Sequence, residues 1–323
     1  MEKILVTGGA GFIGRRLIKR LLDTTDALIY NIDKLSYASK ALEINYYPGA
    51  KERYQLLPYN LVHEEAIQEW ISSLQPEKIF HLAAESHVDN SIKSPKEFIY
   101  SNVIGTYNLI ETCRLAINKP FKFLHVSTDE VFGSLHPDDI DTHFVETTPY
   151  NPRSPYSASK AASDHLVMAW HNTYKFPAVI TNCSNNYGPG QHPEKLIPMT
   201  ITNALAEKPI TVHGEGKNIR DWLHVEDHVT ALLLVMEKGE IGQQYCIGGD
   251  GERTNLQVVN TICKILDKLK PIKSSYKDLI VHVNDRPGND LKYAIDPRKI
   301  KTLGWKPVYN FEEGLEELIK TYL

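Results

Sequence analysis

Through the first 185 residues, short apolar runs alternate with longer stretches whose apolar residues recur every three or four positions. Ile4-Leu5-Val6, within 3–7, is short and apolar enough for a strand buried on both faces. TGGAGFIG follows. Then Ile13, Leu17, Ile18, Leu21 and Leu22 fall on one helical stripe. A second buried strand is predicted over 28–32, ending at Asp33. Residues 35–60 read as loop, with several tyrosines. A helix is predicted over 63–74, a strand over 78–82 and one long helix over 95–118, with Pro95 in its first turn. A strand over 121–126, a helix over 155–174 and a strand over 178–181 complete the series. This rhythm predicts an α/β fold, a Rossmann-type doubly wound parallel sheet with helices on both faces.

Beyond 185 the pieces shorten and Pro and Gly become frequent. Helices are predicted over 195–207, 225–237, 254–269 and 311–322. We expect residues 1–185 to form the dinucleotide-binding domain. Residues 186–323 would form mainly a smaller α/β substrate lobe, with segments returning to the first sheet.

Composition narrows the function classes. A chain of 323 residues can bury a full core. A net charge of −4 leaves no basic footprint, so no nucleic-acid partner is expected. No apolar run approaches the roughly 18 residues of a membrane span, and the N-terminus leads straight into a strand. A cytoplasmic protein without a membrane partner is the expectation. Cys113, Cys183, Cys246 and Cys263 form no CxxC pair, so they read as reduced core cysteines and no metal is expected.

Gly8, Gly11 and Gly14 form a GxxGxxG set between a predicted strand and a helix. In that context glycines let the backbone approach a pyrophosphate at the helix N-terminus. Asp33 ends the next strand, where a carboxylate accepts hydrogen bonds from a ribose diol and repels a 2′-phosphate. The expected cofactor is therefore NAD. Arg15, Arg16 and Lys34 read as solvated surface charges.

Tyr156 and Lys160 are four residues apart, on one helical face. An ammonium beside a phenol is expected to lower its pKa and make it a general base. Asp129 and Glu130 follow Thr128. Alcohol oxidation needs only the Tyr–Lys pair, so two further carboxyls predict a second proton-transfer task. His81 reads as a packed strand residue, and Trp170 and Tyr174 as core or subunit contact.

TGGAGFIG, HLAAESHVDNSI, STDEVFG, YSASK, NCSNNYGPG, PEKLIP, RDWLHVEDH and DRPGND occur in this order. Together they resemble the nucleotide-sugar 4,6-dehydratases of the extended short-chain dehydrogenase/reductase family. The dTDP-glucose enzymes have the closest pattern, and UDP-glucose enzymes are similar. The resemblance implies a lyase that binds NAD tightly. It would oxidise a bound hexose at C4, eliminate water across C5 and C6 and reduce C6. Tyr156 with Lys160 would take the O4 proton, Thr128 would position O4, Glu130 would remove the C5 proton and Asp129 would protonate the leaving hydroxyl. The resemblance also places Phe12, Ile13, Asn60, Leu61, Leu82, Ala83 and Ala84 against the cofactor, with Gly8, Gly11, Gly14, Asp33, Tyr156 and Lys160. It places Ser86, Thr128, Asn185, Glu194, Lys195 and Leu196 against the sugar diphosphate, and Arg220, Asn255 and Arg286 on the diphosphate. It implies a homodimer paired through the helices over 95–118 and 155–174.

The chain departs from that pattern at Asn90, Phe132, His213, Asn289 and the Asn60-Leu61 pair, where Arg, Tyr, Tyr, His and Asp-Ile are usual. His213 and Asn289 leave thymidine or uridine open at the nucleoside end. A UDP-sugar 4-epimerase or decarboxylase is the alternative enzyme, but it has no use for Asp129-Glu130. A non-catalytic NAD-sensing module would not need Tyr156 and Lys160.

Overall fold

The computed structural model describes residues 1–40, 42–139, 141–285 and 289–323. Seven parallel strands form the central sheet: β1 (Lys3–Thr7), β2 (Leu28–Ile32), β3 (Tyr54–Leu57), β4 (Lys78–His81), β5 (Lys122–Thr128), β6 (Ala178–Cys183) and β7 (Gln244–Ile247). Their order is β7-β6-β5-β4-β1-β2-β3. The order reverses between β4 and β1, and a crevice opens there at the carboxyl ends of the strands.

The helices used below are α1 (Phe12–Thr24), α2 (Glu64–Leu74), α3 (Gly105–Ala116), α4 (Pro155–Tyr174), α5 (Leu196–Leu205), α6 (Val225–Lys238), α7 (Asn255–Leu269) and α8 (Phe311–Lys320). Strand residues alternate between two apolar layers, as a pleated strand must. Ile4, Val6, Phe80 and Leu124 pack with Leu17, Leu21, Val229 and Leu232 of α1 and α6. Leu5, Ile79, Phe123 and Ile180 pack with Ile67, Ile71, Leu109 and Val167 of α2, α3 and α4. A separate cluster joins Ile201, Val212, Trp222, Ile262 and Leu315, so α5, α7 and α8 share their own core.

Two elements differ from the sequence expectation. The segment expected as loop over 35–60 contains the sheet-edge strand β3 and two one-turn helices, Leu42–Asn45 and Ala50–Arg53. YQLL is too short and too polar to register as a buried strand. The long helix expected over 95–118 is interrupted by a π-helical turn, Ile99–Ile104, which leads into α3. There the Gly105 amide donates to Tyr100 O, one residue further back than in an α-helix. A Cβ on Gly105 would lie 3.1 Å from Leu61 Cβ, so glycine lets the helix approach that loop.

α4 has strong local signals. Ser154 and Ser157 form a reciprocal capping box, Pro155 occupies the first turn, and Lys175 ends the helix in the left-handed region at φ 59°. These fix where Tyr156 and Lys160 emerge.

Candidate active site

The crevice holds a cavity of about 330 Å³. The ends of six strands supply its walls: Gly8 after β1, Asp33 after β2, Asn60 and Leu61 after β3, Leu82 to Ala84 after β4, Thr128 on β5 and Cys183 on β6. Gly11, Phe12, Ile13, Gly14, Ser86, Glu130, Tyr156, Lys160, Asn185 and Lys195 also line it.

The glycine turn is tight. A Cβ on Gly8, at φ 73°, would lie 2.6 Å from the Ala83 amide nitrogen, and one on Gly14 would lie 2.7 Å from Gly9 Cα. Asp33 is buried, and its oxygens hold the loop: Oδ2 accepts from Ala10 N at 2.9 Å, and Oδ1 accepts from Leu35 N at 2.8 Å and Ser39 Oγ at 3.2 Å. A carboxylate has about four acceptor positions, so one remains for a ribose hydroxyl. The side-chain oxygens Asn185 Oδ1 and Gln191 Oε1 are buried without a protein partner. A close-fitting glycine turn, an acid at the end of β2 and orphan polar atoms in the wall fit a dinucleotide beside a polar ligand.

The reading of Arg15, Arg16 and Lys34 as solvated charges does not hold. Arg15 is buried and donates to Gly190 O at 2.8 Å while pairing with Glu43. Arg16 pairs with Glu226 at 2.6 Å. Lys34 lines the cavity, donates to Ser101 Oγ at 2.8 Å and pairs with Glu85. Long stems that reach across loops escape a reading based on local polarity.

At the chemical end, β5 runs buried into Thr128 and a single 3-10 turn carries Asp129 and Glu130. The Thr128 hydroxyl caps that turn, accepting from Glu130 N at 3.3 Å. Asp129 lies behind the cavity wall. Burial, then the charges of Glu130 and Asp221, push its carboxyl well above the usual range. Lys160 is buried and donates to Val126 O at 2.9 Å. Burial pulls its ammonium below the ordinary value, and the Asp164 charge works against that.

The expected lowering of Tyr156 is reversed in this structure. Burial, then the Glu130 charge, pushes the phenol well above its ordinary value, with the Thr128 hydroxyl pulling the other way. The phenol is buried in a low-dielectric wall beside a carboxyl, and the i,i+4 spacing could not reveal that.

The other expected substrate contacts lie off this cavity. Glu194 accepts from Tyr37 OH at 2.9 Å and pairs with His192 at 3.3 Å. Leu196 opens α5 and packs on the second apolar cluster. Arg220 is buried with its guanidinium 4.3 Å from the Tyr293 ring centroid, and donates to Ile219 O, Asn289 Oδ1 and Asp290 O. Asn255 opens α7 beside it, its amide donating to Asn218 O at 3.0 Å. Arg286 lies outside the described residues.

Sequence reading missed Asn102. The π-helical turn holds it buried, where Oδ1 accepts from Glu85 N at 2.8 Å and Nδ2 donates to Glu85 O at 3.0 Å and Ser159 Oγ at 2.8 Å. It therefore clamps the loop after β4 to α4. His81 is buried between Thr7 and Thr106, as a packed strand residue. All four cysteines are buried and free. Among the described residues no cluster of His, Cys, Asp and Glu could hold a metal, and no helix is long and apolar enough to cross a membrane.

Comparison with known proteins agrees with this geometry. The model of the family described as GDP-mannose 4,6 dehydratase matches residues 5–318. The chain is 49% identical to the dTDP-glucose 4,6-dehydratase of Salmonella typhimurium, over 99% of this chain and 92% of that protein. The Bacillus anthracis dTDP-glucose 4,6-dehydratase, solved in complex with NAD, is 40% identical, with a TM-score of 0.88 over 100% of this chain and 96% of that one. A Streptomyces venezuelae dTDP-glucose 4,6-dehydratase, solved with NAD and TYD bound, is 37% identical, with a TM-score of 0.91 over 99% and 96% of the two chains.

Proposed function

Because this chain belongs to the GDP-mannose 4,6 dehydratase family, we propose that it is an NAD-dependent dTDP-glucose 4,6-dehydratase, converting a nucleoside-diphosphate glucose to the 4-keto-6-deoxy sugar. The observation that carries this reading is Glu130 beside Thr128 on the same cavity as Tyr156 and Lys160, with Asp129 buried next to Glu130 on the same turn. The buried member holds its proton and the cavity-lining member faces the ligand, so an acid and a base stand side by side.

Bound NAD supplies a two-electron acceptor that later returns the same electrons. Gly8, Gly11, Gly14 and Asp33 would hold it, with Asn60, Leu61 and Leu82 to Ala84 along its length. With the positive charges of bound NAD and Lys160 offsetting its burial, Tyr156 would ionise and accept the O4 proton, while Thr128 fixes O4. The resulting 4-keto group acidifies C5–H. Glu130 removes that proton, and Asp129 protonates the departing C6 hydroxyl, so water leaves. Ser86, Asn185 and Lys195 border the sugar in this reading. Glu194, Leu196, Arg220, Asn255 and Arg286 are assigned to the diphosphate side. Residues up to 185 serve mainly the cofactor, and later ones the nucleotide sugar.

A 4-epimerase returns its electrons to C4 and has no leaving hydroxyl to protonate, so Asp129 disfavours that alternative. The protein is further proposed to act in the cytoplasm as a homodimer. Ile99, Tyr100, Ile104, Tyr107 and Leu115 are exposed along 95–116, beside the half-exposed Tyr174 of α4. Sedimentation at micromolar concentration should give twice 36.7 kDa; a monomer would exclude the pairing. The test of the function is a product assay with dTDP-glucose and UDP-glucose. A 4-keto-6-deoxy product, formed faster from the dTDP sugar, is expected. A C4-epimerised sugar from either would overturn the reading.

A further inference from the structure

Behind the catalytic face of α4 lies a buried carboxylate not used above. Asp164 follows Lys160 by one helical turn, as Lys160 follows Tyr156. It accepts four hydrogen bonds: from His125 Nε2 at 3.0 Å, Ser127 Oγ at 2.8 Å, Tyr150 OH at 2.8 Å and Asn182 Nδ2 at 3.3 Å. These donors come from β5, β6 and the loop before α4. Asn182 Nδ2 also donates to Thr128 O at 3.0 Å, so the network reaches the residue where β5 enters the catalytic turn. On the other side Lys160 Nζ donates to Val126 O of the same strand.

A buried ammonium loses stability through desolvation unless a counter-charge stands near it. A carboxylate with four donors is held ionised. We propose that Asp164 is a positioning residue of this site: its carboxylate keeps Lys160 charged and fixes the Tyr156 face of α4 against the catalytic end of β5. The proposal rests on the assignment of Tyr156 as the proton acceptor.

The titratable groups packed around this pair come from several elements. His125 on β5 and His81 on β4 lie with ring centroids 5.2 Å apart; Cys183 comes from β6, Tyr150 from the loop and Tyr156 from α4 itself. Burial pulls His125 down to about 4 and His81 well below its ordinary value. Burial pushes the Cys183 thiol up to about 12 and raises both tyrosines. Burial alone would raise Asp164, but the bond and charge of His125, then Lys160 and Ser127, outweigh it and hold the carboxyl low. Among these groups Lys160 is the cation whose proton is loosened by burial and held by the Asp164 charge.

The test uses the NAD-loaded protein and follows Lys160 Nζ by ¹⁵N NMR against pH, beside the pH profile of kcat. Asp164→Asn should move the lysine midpoint and the alkaline limb of kcat down together, by about one pH unit or more, with KM little changed. Tyr150→Phe removes one bond and keeps the charge; it should lower Tm and leave the midpoint in place. Asp164→Glu keeps the charge but displaces the bonds, so it should lower kcat without moving the midpoint. An unmoved lysine titration in Asp164→Asn overturns the proposal. Should that variant not fold, a midpoint that moves in Asp164→Glu overturns it instead. A wild-type protein whose Lys160 responds as described but which makes no 4-keto sugar would overturn the functional reading and leave the role of Asp164 standing.

Discussion

The Thr128 hydroxyl donates to Asp129 Oδ1 at 3.3 Å, while Asp129 Oδ2 is buried without a protein partner. That oxygen lies behind the cavity wall beside Glu130, and its carboxyl, pushed up by burial, is the acid proposed for the leaving hydroxyl. Asp129→Asn keeps the shape and removes the acid. It should cut dehydration by about 10²–10⁴-fold while C4 oxidation persists. Glu130→Gln should abolish exchange of the C5 proton with D₂O. The check is NMR of the sugar after incubation. Full dehydration by either variant would remove that residue from the chemistry.

Tyr156 is buried, and in the protein alone its phenol resists ionisation. Tyr156→Phe deletes the oxygen proposed to accept the O4 proton and little else, so it should fold, keep NAD and lose C4 oxidation. Circular dichroism, NAD content of the purified protein and product formation check the three parts. Near-normal turnover would refute the assignment.

Much of this site was legible because its residues carry local signals. TGGAGFIG marks a strand–turn–helix cradle, and the YSASK spacing puts Tyr156 and Lys160 on one helix face. The tertiary environment was not legible. Spacing could not tell that Tyr156 would be raised, that Asp129 would sit behind the wall, or that Arg15 would cross to Gly190. Asn102 needed a π-helical turn, and β3 has too few apolar residues to announce an edge strand. Asp164 did have a signal, the repeat of the four-residue step, but its donors come from strands and a loop distant in sequence.

Arg220 sits with one face on Tyr293 and donates to Asp290 O at 3.0 Å. Arg220→Lys keeps the charge and loses the planar fork. The KM for the nucleotide sugar should rise with a cost of about 1.5–3 kcal/mol, and kcat should change less. If KM stays put and only Tm falls, the guanidinium serves to hold 289–293 and does not serve the diphosphate.

Acid should destabilise the fold through its buried imidazoles. Burial lowers His125 and His224 to about 4, His228 to about 3 and His81 well below the ordinary value. A depressed group contributes stability that is present above its unfolded value, about 6.5, and is lost as pH falls through the folded value. Asp221, raised to about 6 by burial, acts oppositely: its contribution is lost as pH rises through 6. Asp129 acts in the same sense as Asp221. Asp227 is raised by burial as well; four imidazoles outweigh these three carboxyls, so the urea midpoint should fall between pH 7 and pH 5. A flat or rising midpoint would mean that these histidines are charged or solvated in the native state.

The central claim is that one site oxidises C4, eliminates water and reduces C6 of the same sugar. The direct measurement supplies dTDP-glucose deuterated at C4, with no added reductant, and locates the label in the product by NMR. The account predicts deuterium at C6 of a 4-keto-6-deoxy sugar, and a parallel run in D₂O should label C5. Deuterium retained at C4, or released from the sugar, would contradict the account and favour an epimerase, or a dehydrogenase that stops after C4 oxidation.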